Sequence, residues 1–319
     1  MESQYTKKVM EHFNNPRNVG EMRDADGRAK VGDPSCGDFI LVWIKAQDGI
    51  VTDYKYKVFG CAAAIATTSV VSELAVGKTF EQAARLTDDD VVSYLGGLPE
   101  GKKHCSLLGI KGLQAAIDDY KIRENYKRLE QRNALYRKLG YNIPKSCEDI
   151  AGRLDDLSEN ANVLEIGSGK GNLAIALALA GIPLTSIDRS AEEQKYAVLN
   201  ARYLKLDDMI DFEVQDASHT DYDESSFHCI VSAATLHHIE DTEPVLKEID
   251  RLCKRGGRVI LADLNNKGRE IVAKVHEMEG REHKLFGWQK ERIEEWFQRQ
   301  GYKTEMSEKN CLWILTVEC

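Results

Sequence analysis

Val163-Leu164-Glu165-Ile166-Gly167-Ser168-Gly169-Lys170-Gly171 runs from a short apolar stretch straight into three glycines at alternate positions. A buried strand followed by a glycine turn predicts a helix directly behind it, over Asn172 to Ala180. Tight strand–helix turns need glycine in any case. The run also departs from the G-x-G-x-x-G dinucleotide pattern, because its third glycine comes one residue early. The flanking sequence carries the argument further. Strands are expected at Leu184 to Ile187, Ile210 to Val214, Cys229 to Ser232 and Arg258 to Ala262, with helices at Ala191 to Leu206 and Glu243 to Leu252 between them. Strand–helix alternation of this kind builds a doubly wound, mostly parallel sheet. Tyr302 to Glu305 and Leu312 to Glu318 read as a closing strand pair.

Working back toward the start, the pattern changes twice. Lys121 to Lys145 carries eight Lys or Arg residues against Glu124 and Glu130, and keeps a helical stripe of Ile122, Tyr126, Leu129 and Tyr136. It reads as a basic connector helix docked by that stripe, with a contact surface for an acidic partner or tRNA as the other reading. Ahead of it, Tyr5 to Phe13 predicts a short helix, and Phe39 to Ala46 and Val51 to Phe59 predict two strands joined through Gln47-Asp48-Gly49, a strong hairpin signal. Small residues from Ala62 to Val76, then Phe80 to Leu86, Asp90 to Leu95 and Leu107 to Tyr120, predict helices. Strands first and helices afterwards suggest an α+β domain.

With 319 residues the chain has room for two domains of ordinary size. Hydrophobic residues make up 42% and charged residues 30%, as in most globular chains, and a net charge of −9 argues against a general nucleic-acid binder. No apolar run approaches the ~20 residues that span a bilayer, and Met1 to Lys8 lacks a signal-peptide core. The expectation is a cytoplasmic protein, off the membrane, with its eight cysteines reduced.

The glycine run, with Glu165 before Gly167, Ser168, Gly169 and Gly171, resembles motif I of class I S-adenosylmethionine-dependent methyltransferases. The order of the other elements adds to the resemblance: Asp188-Arg189 after the second strand, Asp216-Ala217 after the third, and Ser232 to Ile239 after the fourth. It implies an α/β Rossmann-like domain with a mostly parallel seven-stranded sheet over about 146–319. It also implies that Asp188 holds the cofactor ribose, that Asp216 meets the adenine amino group, and that Arg189, Ala217 and Ser232 lie nearby. His237 and His238 follow the strand whose end faces the cofactor methyl group in this fold. They are candidates for a base or substrate contact, against the plainer reading of a polar pair at a helix start. His276 and His283 lie in an insertion where related enzymes recognise substrate, and a solvated face is the alternative. Cys229 and Cys311 read as core residues.

Three cysteines in the first third stand apart. Asp33-Pro34-Ser35-Cys36-Gly37-Asp38, Phe59-Gly60-Cys61-Ala62 and His104-Cys105-Ser106 put three thiols, a carboxylate and an imidazole in three separate elements, with no CxxC pair. Thiolates are soft ligands for zinc or iron–sulfur clusters, and a carboxylate in place of a fourth thiolate holds such a group less firmly. These three motifs, spread over about Tyr5 to Tyr120, resemble the IscU/NifU-type iron–sulfur scaffold. The resemblance implies that Cys36, Cys61 and Cys105 bind a [2Fe-2S] or [4Fe-4S] cluster, or zinc at the same site. Asp38 would keep the cluster labile, and His104 would be an alternative fourth ligand. The implied partners are a cysteine desulfurase and apo iron–sulfur acceptor proteins. An Hsp70-type chaperone docks in this family on a segment of which only Leu98, Pro99 and Lys102 survive here, so that partner does not carry over.

The expected organisation is a scaffold domain over 1–122, a basic helical connector over 123–145 and a methyltransferase domain over 146–319. The methyl acceptor is expected to be a small molecule more than a macromolecule, and a homo-oligomer is left open. The rival reading makes the chain chiefly a methyltransferase whose first domain is a structural or zinc-sensing module.

Overall fold

The computed structural model describes residues 5–33, 37–102, 104–280, 286 and 290–319, with the side chains of 33 and 104–106 outside that description. The chain divides into two compact units, 1–124 and 125–319. No helix among the described residues is long and apolar enough to cross a membrane.

The first unit contains α1 (Lys7–Asn14), β1 (Gly27–Asp33), β2 (Asp38–Gln47), β3 (Ile50–Phe59), α2 (Ala62–Ala75), α3 (Phe80–Ala84), α4 (Asp88–Leu95) and the start of α5 (His104–Lys138). Its three strands form an antiparallel sheet in sequence order. Asp48 and Gly49 both have positive φ, 52° and 75°, which two-residue hairpin turns require, so the Asp-Gly signal sets the β2–β3 register. Ile40, Val42, Ile44, Tyr54 and Tyr56 alternate onto the face covered by the helices, where Val70, Val71, Leu113 and Ala116 complete the core. Small residues allow close approach here. A Cβ at Gly112 would lie 2.8 Å from Val42 Cγ2, and one at Gly109 would lie 3.4 Å from the Thr68 Cα.

Two features of this unit go beyond the sequence expectation. β1 (Gly-Arg-Ala-Lys-Val-Gly-Asp) lacks a β-branched run and sits at the sheet edge, where polar residues are tolerated. The helix expected over 107–120 runs on to Lys138, since nothing in between breaks it and the left-handed stop comes only at Gly140 (φ 97°).

The second unit adds α6 (Ile143–Ala151), β4 (Val163–Ile166), α7 (Asn172–Leu179), β5 (Leu184–Asp188), α8 (Ala191–Leu204), β6 (Ile210–Val214), β7 (Phe227–Ala233), α9 (Glu243–Leu252), β8 (Cys253–Leu264), α10 (Asn266–Met278), α11 (Lys290–Arg299), β9 (Lys303–Lys309) and β10 (Leu312–Glu318). The seven strands lie in the order β6-β5-β4-β7-β8-β10-β9. All pairs are parallel except those made by β10, so the sheet is doubly wound with its strand order reversing between β4 and β7. The connector sequence packs within this unit from Asn125 onward. Leu129 and Tyr136 are buried, and Tyr126 stacks on Tyr203 with ring centroids 4.2 Å apart. α11 is ten residues long with one short apolar face of Ile293, Trp296 and Phe297, of which Ile293 and Phe297 are buried, too short a pattern to stand out in the sequence.

Cys147, Cys229 and Cys311 are buried thiols, as core packing predicts for the last two. Cys253 and Cys319 correct the expectation of eight reduced thiols, for they are disulfide-bonded with Cα atoms 6.7 Å apart. The Gly256 N–H donates to the Cys319 carbonyl at 2.7 Å there, and the Cys319 N–H donates to the Gly257 carbonyl at 2.9 Å. Only the β8–β10 register brings those residues together.

Gly27→Ala is expected to destabilise the first unit by about 1–3 kcal/mol, as overpacking does. Its Cβ would fall 2.2 Å from the Ala116 carbonyl oxygen, a backbone atom that cannot swing away. Urea denaturation followed by circular dichroism measures the change.

Candidate functional sites

In the second unit, a cavity of about 1060 Å³ opens at the carboxyl ends of β4, β5, β6, β7 and β8. That lies at the upper end of the ~300–1,000 Å³ of an ordinary small-ligand pocket. The glycine loop forms one wall. Gly167, Gly169 and Gly171 all have positive φ (90°, 47° and 84°). The Gly167 and Ser168 amides donate to the Ile187 carbonyl at 2.8 and 3.0 Å, tying β4 to β5. Asp188 closes the loop: one carboxylate oxygen accepts the Gly169 N–H and the other the Ser190 N–H, both at 2.9 Å. A carboxylate has about four acceptor positions, so capacity for further donors remains.

Glu165 is 1% exposed, and Ser186 donates to it. Burial, reinforced by the Asp188 charge, pushes its carboxyl up to about 8. Asp216 accepts from the Ser218 hydroxyl and amide at 2.7 and 2.9 Å, bonds that hold its carboxyl below the usual range. Arg189, Ala217, Ser168, His237 and His238 also line the cavity. Two of the expected cofactor residues do not. Gly171 backs onto Ala197 of α8, 3.1 Å from where a Cβ would be, and Ser232 is fully buried with its hydroxyl donating to the Ile166 carbonyl at 2.9 Å. Both sit where the loop packs, one layer behind the cavity wall.

The opposite wall brings residues that the sequence did not assign to the site. Tyr136, Tyr141, Leu264, Val272 and Leu312 give it an apolar surface, and Arg132 joins them from α5. Arg132 is held by Glu279 at 3.5 Å and by the His276 ring at 3.3 Å. His276 therefore lines the cavity, whereas His283 lies outside the described residues. His237 is buried, with Nδ1 2.5 Å from an Asp263 carboxylate oxygen and its own amide donating to the other at 2.8 Å. His238 is exposed overall, but the enclosure of its ring, followed by neighbouring His237, lowers its pKa. Ala234 between β7 and this pair has φ 53°, a left-handed conformation that a non-glycine residue adopts only under constraint.

In the first unit, the β2–β3 register pairs Phe39 with Phe59 and so brings Asp38 beside Gly60-Cys61. The Asp38 carboxylate occupies the space of a missing side chain: a Cβ on Gly60 would meet its Cγ and Oδ2 at 2.8 Å. Cys61 is the N-cap of α2, half-buried among Tyr5, Val58 and Leu98, and the positive end of the helix dipole favours an anionic ligand there. Phe39 and Phe59 stack at 4.4 Å beside it. Cys36 and the side chains of His104 and Cys105 lie outside the described residues, although the first turn of α5 includes both 104 and 105.

Residues 4–127 match the family model described as NifU-like N terminal domain, and residues 157–306 match one described as Methyltransferase domain. The iron–sulfur cluster assembly scaffold protein IscU 1 of Archaeoglobus fulgidus is 52% identical over 123 residues, covering 39% of this chain and 80% of that protein. The chain belongs to the IscU/NifU scaffold family and carries a methyltransferase domain. The scaffold domain is also 43% identical over 126 residues to IscU of Aquifex aeolicus, again covering 39% of this chain and 80% of that protein. A solved S-adenosylmethionine-dependent methyltransferase from Methanosarcina mazei is 20% identical, covers 51% of this chain and 93% of its own, and has a TM-score of 0.42.

Glu165 gives the methyltransferase domain a pH signature. The folded state keeps this proton up to about 8, while an unfolded chain releases it near 4.5. Its contribution to stability is thus complete below 4.5 and is lost as pH rises toward 8. Glu165→Gln removes the titration, and its melting temperature is expected to vary less between pH 4.5 and 8 than that of the parent protein.

Proposed function

We propose that the chain assembles a labile iron–sulfur cluster on its scaffold domain and moves a methyl group from S-adenosylmethionine to a small acceptor in its methyltransferase domain. The observation supporting the first activity is the Asp38 carboxylate seated on Gly60 beside Cys61. Here the cluster is cargo. Cys36, Cys61 and Cys105 supply soft thiolates, while Asp38, with His104 as the alternative, supplies a harder fourth ligand that exchanges readily. A cysteine desulfurase delivers sulfur and apo-proteins receive the cluster, in a cytoplasmic setting. Zinc occupies the same ligands when iron and sulfide are scarce.

The observation supporting the second activity is the Asp188 carboxylate closing the glycine loop at the cavity edge. When bound, S-adenosylmethionine supplies an electrophilic methyl group on a sulfonium, so catalysis is chiefly alignment. Asp188 accepts the ribose hydroxyls and Asp216 the adenine amino group. Gly167, Ser168 and Gly169 let the backbone approach, Glu165 faces the amino acid end, and Arg189 and Ala217 border the nucleoside. His237 and His238 stand at the acceptor end. We place the domain limits at 1–122 and 146–319, with 123–145 as a basic connector that lends Arg132 and Tyr136 to the cavity.

Anaerobic reconstitution of the full chain with ferrous iron and sulfide tests the first activity. One cluster per chain is expected by iron and sulfide analysis. Cys61→Ser is expected to lose it, and Asp38→Ala to hold it longer during transfer to an apo-ferredoxin. Absence of any transferable cluster would refute the scaffold reading. For the second activity, Gly167→Ala places a Cβ 2.2 Å from Thr235 Oγ1 at an already left-handed φ. It is expected to weaken S-adenosylhomocysteine binding at least 10-fold by calorimetry.

A further inference from the structure

α5 ends in a way that sets two tyrosines against each other. Gly140 takes a left-handed φ of 97°, its N–H donates to the Arg137 carbonyl at 3.1 Å, and the Tyr141 N–H donates to the Tyr136 carbonyl at 3.0 Å. This is a Schellman closure, in which the residue after the glycine packs back on the last full turn of the helix. The Tyr136 and Tyr141 rings accordingly meet edge to face, with centroids 5.9 Å apart. One turn earlier, the Arg132 guanidinium lies 5.7 Å from the Tyr136 ring centre, and Nη2 donates to the Tyr136 hydroxyl at 3.4 Å. Arg132, Tyr136 and Tyr141 thus make a continuous strip of cavity wall, beside Leu264, Val272 and Leu312.

The ring contact needs no hydroxyl, and a phenylalanine after Gly140 would close the helix equally well. Tyr141 is 4% exposed, yet its hydroxyl has no hydrogen-bond partner among the described residues. Such a group is costly unless water or a ligand reaches it. Among the described residues, the hydroxyls sealed from solvent without a partner are those of Tyr54, Tyr56, Ser146 and Thr242. The Tyr141 hydroxyl is therefore open, and the cavity that its residue lines is the opening. Burial first, then neighbours that include Asp263, holds this hydroxyl protonated, so it acts as a donor. Asp263 itself is occupied by the His237 and Leu264 amides, at 2.8 and 2.6 Å, and by the His237 ring.

Arg132 adds charge to the strip. A guanidinium has five N–H donors and accepts nothing. Nε faces Glu279 at 3.5 Å, Nη2 serves Tyr136 and the His276 ring, and Nη1 has no partner among the described residues. The Tyr136 oxygen already accepts from Arg132, which leaves its hydrogen to donate. A cation and two hydroxyl donors on an otherwise apolar wall complement a group that is anionic and accepts from two sides. The planar fork of arginine matches a carboxylate in that role, whereas an ammonium would be repelled.

We infer that Arg132 and Tyr141 form a carboxylate-binding subsite in the methyltransferase cavity, so that the methyl acceptor is an apolar molecule bearing a carboxylate. This rests on the methyl-transfer reading above and names the acceptor class for it. The subsite binds and orients; no bond is made or broken at Arg132 or Tyr141.

The test is calorimetry on the full chain with three probes that share one apolar body: 4-phenylbutyrate, 4-phenylbutanamide and 4-phenylbutylamine. With S-adenosylhomocysteine present, the carboxylate is expected to bind about 10-fold tighter than the amide, and the amine weakest of all. Arg132→Met is expected to remove that preference, and Tyr141→Phe to weaken 4-phenylbutyrate binding about 5-fold. S-adenosylhomocysteine affinity is expected to change by no more than about twofold in either variant. Equal affinity for the three probes, or binding of none of them, overturns the inference. So does a carboxylate preference that survives in Arg132→Met. If Arg132→Met proves unfolded by circular dichroism, Tyr141→Phe, which keeps the ring contact, decides alone, and unchanged 4-phenylbutyrate affinity in it is the overturning result. Failure of the parent protein to bind S-adenosylhomocysteine sinks the methyl-transfer reading instead, and the probe series without it still reads the subsite.

Discussion

The turn from β4 into α7 is the constraint around which the methyltransferase domain is arranged. Its amides reach across to the Ile187 carbonyl, its Gly169 N–H fixes Asp188, and Gly167 lies so close to Thr235 that any side chain would strike it. Three strands, β4, β5 and β7, are thereby registered at their carboxyl ends, the place where doubly wound sheets bind ligands. A loop with side chains at these positions would require both strained φ values and a wider gap between β4 and the turn after β7. The cavity exists because neither occurs.

The scaffold domain relies on the same economy of atoms in another setting. Gly60 has room for the Asp38 carboxylate only because it lacks a Cβ, and the β2–β3 register delivers the two to the same end of the sheet. α2 and α5 approach each other through Gly109, and the sheet approaches α5 through Gly112.

Much of this was legible in the sequence because it depends on local pattern. Glycines at alternate positions after an apolar strand, aspartates at the ends of the next two strands, and Asp48-Gly49 between alternating apolar residues each state a backbone requirement within a few residues. Polar elements were less legible. β1 lies at a sheet edge with no β-branched run, and α11 offers only one short apolar set, Ile293, Trp296 and Phe297, in ten residues. The stripe of Leu129 and Tyr136 is buried as its helical spacing indicates, while the joining of the 107–120 and connector stretches into one helix, α5, was less legible because no breaker separates them.

The sequence by itself determined both fold classes and the strand–helix alternation of the second domain, since these follow from hydrophobic period and turn chemistry. Only the tertiary structure decided which residues share a surface. It moved Ser232 and Gly171 behind the cavity wall, brought Arg132 and Tyr136 into it from the basic helix, joined Cys253 to Cys319, and set Asp263 against His237. The reason is sequence separation: the members of that last pair are 26 positions apart. Parallel pairing of β7 with β8, through the crossover helix α9, is what closes the distance.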